Sequence, residues 1–270
     1  MKRFVIWLIV AILVLAAGVT AWYKFNLTEL TDDVGSGQVI IETETRKEEA
    51  PASDSAPGFI VAAEYPKISG LSDLAVQARL NAEIKSEVDG IVNANRGEGE
   101  IIDANSIAQS SSVNVDYKIE SSHGSILPIV FTVSAYTAGA AHPNNFYQTL
   151  NLDLAIGEEV TLAEFFKPGT KYLEIFAPLA AQAVAKEQNI RLEPDTPITA
   201  QDEWIKGGTK AEATNYQNYL FTAEGIKLFF DPYQVASYAA GGFEVLLPYT
   251  AFGQQIIYSS AEGEFNIKIK

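Results

Sequence analysis

The chain has no cysteine among its 270 residues. That removes disulfides, thiolate zinc sites, iron–sulfur clusters and cysteine nucleophiles together. Histidine is nearly as scarce, with only His123 and His142, too few for an imidazole-rich metal centre. Positive charge is thin as well. Nineteen Lys and Arg face 34 Asp and Glu, a formal net charge of −15, and no run of Lys or Arg exceeds two. Such a surface repels phosphate backbones, so nucleic acid is not expected as a partner. The familiar catalytic signatures are missing too: no Gly-x-Ser-x-Gly elbow, His-Glu-x-x-His helix, Gly-x-x-x-x-Gly-Lys loop or Gly-x-Gly-x-x-Gly turn occurs. Carboxylates abound, but no segment marks the fixed pair that a glycosidase needs. No catalytic residue, cofactor or metal is assigned, and a non-enzyme is expected.

What the chain does have begins at its start. Met1-Lys2-Arg3 precedes residues 4–23, Phe4 to Tyr23, without one charge. Twenty residues of helix span roughly 30 Å, the hydrocarbon thickness of a bilayer. The leading cations keep a three-residue tip, 1–3, in the cytoplasm, and Trp22 and Tyr23 suit the interface. The expectation is a single-pass membrane anchor with everything after it outside. A signal peptide cleaved at Val19-Thr20-Ala21, giving a secreted protein, is the alternative. Removing Lys2 and Arg3 leaves 17 basic residues against 34 acidic ones.

Residues 24–57 read as a flexible tether, polar and rich in Pro and Ser toward Pro57, with a short strand considered at Gln38–Glu42. A small strand-helix module is expected over 58–105. Its helix would be capped by Ser72 or Asp73 and carry Leu74, Leu80, Ile84, Val88 and Ile91 at helical spacing. A larger module over 106–270 would hold an antiparallel sheet with packed helices. Its strands are placed near 113–119, 126–135, 146–155, 218–222, 226–230 and 243–247, with an edge strand at 265–269. Thr161-Leu-Ala-Glu164 has capping-box spacing. Gly207-Gly208-Thr209-Lys210 echoes a phosphate loop weakly and is read as an ordinary loop. Helices and strands segregate instead of alternating, so the fold class is α+β.

Two loops hold the candidate contact residues. The first runs from Tyr136 through His142, Pro143 and Asn144 to Asn145; small residues crowd up to the histidine before Pro-Asn-Asn turns the chain. His142 suits a general base or metal ligand by chemistry, or a loop-fixing group bonded to a backbone carbonyl, and the last reading is preferred. His123 lies in a turn, where a solvated side chain is expected. The second loop carries Tyr233 and Tyr238 beside Ala239-Ala-Gly-Gly242. Loop tyrosines suit a contact surface as well as core packing.

These segments carry a resemblance. Glu64-Tyr-Pro-Lys-Ile-Ser-Gly-Leu71 before a helix bearing Leu80-Asn81 resembles the small module of the RsiV-like extracytoplasmic family. Tyr136–Pro143, Asn151-Leu-Asp-Leu154, Thr161–Phe166, Phe221–Ile226, Asp231-Pro-Tyr233 and Tyr238–Gly241 are similar to its larger module. The family loop usually has Gly-Gly-Ala-His where this chain has Gly139-Ala140-Ala141-His142. The resemblance implies an extracytoplasmic α+β pair. It is found as the lysozyme-binding ectodomain of a transmembrane anti-sigma factor, and ahead of the catalytic domain in PdaC-type peptidoglycan deacetylases. Neither a sigma-binding nor a deacetylase part is expected here. The expected function is a membrane-anchored binding or sensing domain of the cell envelope. Its partner would be a lysozyme-like cationic protein or peptidoglycan; a cell-wall glycan-active hydrolase or deacetylase accessory protein is the alternative. The oligomeric state is left open.

Overall fold

The computed structural model describes residues 38–53, 56–96, 109–256, 265 and 267–269. The cytoplasmic tip and the 4–23 segment lie outside the described residues. No helix among the described residues is long and apolar enough to cross a membrane.

Strand β1 (Val39–Ala50) lies antiparallel to β2 (Gly58–Ser69), from Ile40 opposite Ser69 to Ala50 opposite Phe59. The strand considered at Gln38–Glu42 is present, and it runs on to Ala50, which corrects the tether reading for residues 43–50. The Thr/Glu/Arg/Lys run is polar because the strand is mostly exposed, with only Val39 and Ile41 buried. Its backbone is satisfied by β2 instead of by water. Pro66 sits inside β2, beyond Ala63, where pairing with β3 has ended, so its missing N–H costs no bond on that side. Gly70 turns the chain at φ 87°; a Cβ there would stand 2.3 Å from the Gln38 carbonyl oxygen.

Helix α1 (Leu74–Asn95) starts on Asp73, whose Oδ1 accepts from the N–H groups of Ala75 at 2.8 Å and Val76 at 3.1 Å. Val76, Leu80, Ile84, Val88, Ile91 and Val92 form its buried stripe. Leu74, expected on that stripe, is exposed. Asn81 locks the helix onto β2: its amide accepts from Ile68 N–H at 2.7 Å and donates to Ile68 C=O at 2.8 Å.

Strand β3 (Ser110–Ile119) returns parallel to β2, then β4 (Ile126–Tyr136), β5 (Asn144–Asp153) and the two-residue β6 (Glu158–Glu159) add antiparallel. With β10 (Ile267–Ile269) parallel to β1, the sheet order is β10-β1-β2-β3-β4-β5-β6. The sheet is therefore mixed and seven-stranded, and β3 to β5 share it with β2. This corrects the expected break at residue 105, because the parallel β2–β3 ladder joins the two sides of that boundary.

The rest of the chain wraps the other face. Helix α2 (Leu162–Phe165) begins at the expected capping box of Thr161 and Glu164. It is followed by α3 (Tyr172–Leu192) and α4 (Glu203–Gly208), so Gly207 and Gly208 are helical and not a loop. Strands β7 (Tyr219–Phe221), β8 (Gly225–Phe230) and β9 (Phe243–Pro248) form a separate antiparallel sheet. Strand β4 lies between the layers. Leu127, Ile129, Phe131 and Val133 face the α1 core, while Ile126 and Val130 face the second unit. Burial on both faces explains its near-continuous apolar sequence.

The two units are joined by polar side chains. The buried Asn151 amide donates to Tyr219 C=O at 3.0 Å and accepts from Phe221 N–H at 2.8 Å, standing in for a ladder partner of β7. Thr149 Oγ1 accepts from Tyr219 N–H at 3.1 Å, and Asp231 Oδ1 accepts from Tyr147 N–H at 2.8 Å. The β3–β4 turn reaches across too, with Ala223 N–H donating to Ser121 C=O at 3.0 Å. His123 there is half-buried, correcting the solvated reading: its ring lies 4.8 Å from Tyr249 and 5.8 Å from Phe165. Burial pushes its pKa down.

Candidate functional site

Strand ends place the two candidate loops side by side. After β4, the loop tightens at Gly139, φ 87°, with Ala140 N–H donating to Thr137 C=O at 2.9 Å. Ala140 keeps an ordinary negative φ, so the Ala at this family glycine position introduces no left-handed strain. Ala138 is fully buried and donates its N–H to Ser111 Oγ at 3.0 Å, seating the loop on β3. Tyr136 OH donates to Gln109 Oε1 at 3.1 Å, and the same oxygen accepts from Gly139 N–H at 3.3 Å.

Across the gap, Tyr238 follows β8 in a short 3₁₀ turn, Tyr238–Ala240. Its hydroxyl donates to Pro143 C=O at 2.8 Å and accepts from Asn145 Nδ2 at 3.0 Å. The His142 ring stacks on Tyr238 with centroids 4.0 Å apart and planes 28° from parallel. Its Nδ1 lies 2.9 Å from the same Pro143 carbonyl, which fixes the N–H on that nitrogen. Tyr233 completes the row, its ring 5.3 Å from Tyr238. The structure thus joins His142, Pro143, Asn145, Tyr233 and Tyr238 in one cluster. Tyr136 sits at the root of the first loop, outside the stack, and Asn144 is exposed beside it.

His142 does contact a backbone carbonyl, that of Pro143, within its own loop. The imidazole is exposed, because stacking on Tyr238 covers one face only. Its partners are a carbonyl and a phenol ring, not a hydroxyl nucleophile or a carboxylate. Among the described residues no group of three or more His, Asp or Glu is placed to hold a metal ion. The cluster offers stacking faces and hydrogen-bonding edges.

Tyr233 carries a further mark. Its φ is 72°, a left-handed conformation that costs a bulky side chain about 1–2 kcal/mol. The turn is closed by Gln234 N–H donating to Asp231 C=O at 3.0 Å, so the ring is held outward, 54% exposed. Burial raises the Asp231 carboxyl pKa, opposed by its bond from Tyr147 N–H.

Sequence reasoning missed Arg191 on α3. Its guanidinium donates to the carbonyls of Gly242 at 2.7 Å and Ala240 at 2.5 Å and lies 3.6 Å over the Phe243 ring, pinning the Tyr238 loop from behind. Gly242 must lack a side chain, since a Cβ would stand 2.6 Å from the Tyr147 ring. A groove of about 580 Å³ runs beside this loop between α3 and β9. Lys227 within it is committed to Glu120 and Glu244 at 2.8 and 2.6 Å. Neither residue had a sequence signal beyond its charge.

A seven-stranded mixed sheet, clasped by a helical unit with its own small sheet and a stacked aromatic rim where the two meet, defines a two-module α+β protein. Residues 55–145 match the family described as Deacetylase PdaC, and residues 163–250 match the protein family of unknown function DUF3298. The chain therefore carries a PdaC domain followed by a DUF3298 domain, and the rim draws residues from both. Peptidoglycan-N-acetylmuramic acid deacetylase PdaC of Bacillus subtilis is 26% identical over 159 residues, 59% of this chain and 32% of that protein. Immunogenic protein MPT64 of Mycobacterium tuberculosis is 26% identical over 119 residues, 44% of this chain and 47% of that protein. An esterase of the same organism is 24% identical over 113 residues, 42% of this chain and 45% of that protein. The chain spans about a third to a half of these relatives' lengths. A solved DUF3298 family member from Bacteroides fragilis has the same fold, with a TM-score of 0.56 at 16% identity over 83% of this chain and 95% of that one.

Proposed function

We propose that this chain is a non-catalytic binding domain of the cell envelope, anchored through residues 4–23, whose partner docks on the His142–Tyr238–Tyr233 rim. The carrying observation is the exposed Tyr233, held at an unfavourable φ and backed by a stacked tyrosine and histidine at the junction of the modules. A fold keeps such strain where an outward aromatic is useful. Of the two partner classes, a cationic protein such as lysozyme fits the net charge of −15, which draws positive partners over about a Debye length. Stacked tyrosines then supply the short-range contact.

The test is calorimetry of the full-length chain in detergent with lysozyme, at low and physiological salt. Affinity should weaken with salt yet persist, and Tyr233→Ala and Tyr238→Ala should each lower it by about tenfold or more. Binding that vanishes at physiological salt and ignores both tyrosines would reduce the effect to bulk charge attraction. No binding to lysozyme, with affinity for peptidoglycan fragments lost in the same variants, would give the rim to a glycan. For the anchor, full-length protein should stay in carbonate-washed membranes; recovery of soluble protein beginning at Trp22 would replace it with a cleaved signal peptide.

A further inference from the structure

Helix α4 and the turn after β8 border a second recess, shallow and open to solvent, of about 450 Å³. Trp204 lines it with 48% of its surface exposed, although Trp is usually among the most covered side chains. The floor is glycine. At Gly208 a Cβ would stand 2.1 Å from the Gln234 carbonyl oxygen, so this residue lets α4 touch the turn. At Gly207 a Cβ would meet nothing within 4 Å, so the missing side chain leaves the recess open.

Amides make the remaining wall. Gln234 Nε2 donates to the carbonyls of Gly208 at 3.2 Å and Asn215 at 3.0 Å, and its Oε1 accepts from Asp231 N–H at 3.2 Å. Asn215 Nδ2 donates to the carbonyls of Gly207 and Lys210, both at 3.3 Å. These bonds hold Asn215 in place and leave its Oδ1 without a hydrogen-bond partner among the described residues. The one carboxylate, Glu203, is paired with Lys206 at 2.7 Å.

We infer that this recess is a binding subsite for an uncharged pyranose ring. The indole offers a flat apolar face to the C–H side of a sugar. The Asn215 oxygen accepts from a hydroxyl, and the Glu203 charge is paired with Lys206 at the solvent-exposed surface. A stacked nucleobase is disfavoured because its phosphate would meet a chain of net charge −15. None of these lining residues belongs to the rim, so the inference stands or falls apart from the rim's partner.

The experiment is a calorimetric titration of the full-length chain in detergent with the N-acetylglucosamine tetramer. Saturable binding is expected. Trp204→Ala and Gly207→Leu should each weaken it by about tenfold or more, while Trp204→Phe and Tyr238→Ala stay within about threefold of the parent. Gly207→Leu separates occupancy from folding, because the new side chain enters open space and leucine favours the helix; an unchanged melting curve confirms that it folds. No saturable binding up to about 10 mM sugar would overturn the inference. So would binding that survives both Trp204→Ala and Gly207→Leu, including binding lost only in Tyr238→Ala.

Discussion

The core under α1 is mostly aliphatic: among the described residues its buried side chains include just two aromatics, Tyr65 and Phe131, beside Val39, Ile41, Ile68, Leu80, Ile84, Val88, Val113 and their neighbours. The core around α3 is aromatic. Phe165 stacks on Phe221 with centroids 3.9 Å apart, Phe166 meets Phe176 and Phe252 edge to face at 5.8 and 5.5 Å, and Phe176 and Phe252 lie tilted at 5.3 Å. A helix lying along a regular sheet meets evenly spaced rows, which β-branched and leucine side chains fill with little loss of rotamer freedom. The second unit packs the long α3 and two short helices against a small three-stranded sheet, and wide rings bridge them. One core spreads its energy over many small contacts; the other concentrates it in a few rings.

That contrast is testable by deletion. Phe165→Ala removes a ring touching Phe221, Phe166, Tyr249 and His123, and should cost about 4 kcal/mol. Ile84→Ala under α1 should cost about 3 kcal/mol, within the usual range for such truncations. Urea unfolding of both variants checks the order. Equal or reversed losses would show that ring stacking adds nothing to buried area.

Next in size is the seam. Asn151→Ala strips a buried amide from Tyr219 C=O and Phe221 N–H and should cost about 2–4 kcal/mol, since each orphaned group costs about 1–3 kcal/mol. If the seam merely fills space, Asn151→Leu should restore the loss; if it works as a ladder, the variant stays destabilised.

A smaller effect depends on pH. His123 has a folded pKa below its ordinary value of 6.5, because burial between Phe165 and Tyr249 disfavours the imidazolium. Below about pH 6.5 the unfolded chain therefore binds more protons than the folded one, so stability falls as pH falls. Titrating urea midpoints from about pH 7.5 to 5.5 should show this slope, reduced in His123→Phe, which keeps a ring in place. An unchanged slope in the variant would assign it to carboxylates.

The smallest expected effect separates stability from recognition. Tyr233→Gly relieves the left-handed backbone and should leave stability unchanged or raise it by up to about 1 kcal/mol. Binding at the rim should nonetheless be lost. A variant that is both less stable and still competent would make Tyr233 a packing residue.

Much of the first core was legible. The stripe from Leu80 to Ile91 and the alternation from Val113 to Ile119 follow the periods of a helix and of a strand buried on one face. The Asp73 cap and the Thr161–Glu164 box depend on local spacing alone. Only the start of β1 was legible, as the short strand considered at Gln38–Glu42: Glu42 to Glu49 has the composition of a solvated linker, and only pairing with β2 makes it a strand. The aromatic core was equally opaque, since Phe165 and Phe221 stack across a separation of 56 positions without a shared period. Of the rim, the sequence marked the two loops as neighbours of strand ends but not the Tyr238 bonds to Pro143 and Asn145, the Tyr233 conformation or the support from Arg191.

The sequence by itself determined the acidic charge, the absence of thiol chemistry, the apolar first segment, the α+β class and the elements whose side chains repeat at 3.6 or 2 residues. These properties belong to composition or to short stretches of chain, where local geometry dictates the pattern. Tertiary structure alone decided that β1 enters the sheet, that Asn81 and Asn151 act as ladder partners, that His123 is covered while His142 is open, and that two loops 93 residues apart share hydrogen bonds. Each of those outcomes depends on a partner distant in the chain, and a side chain's burial is a property of what packs against it.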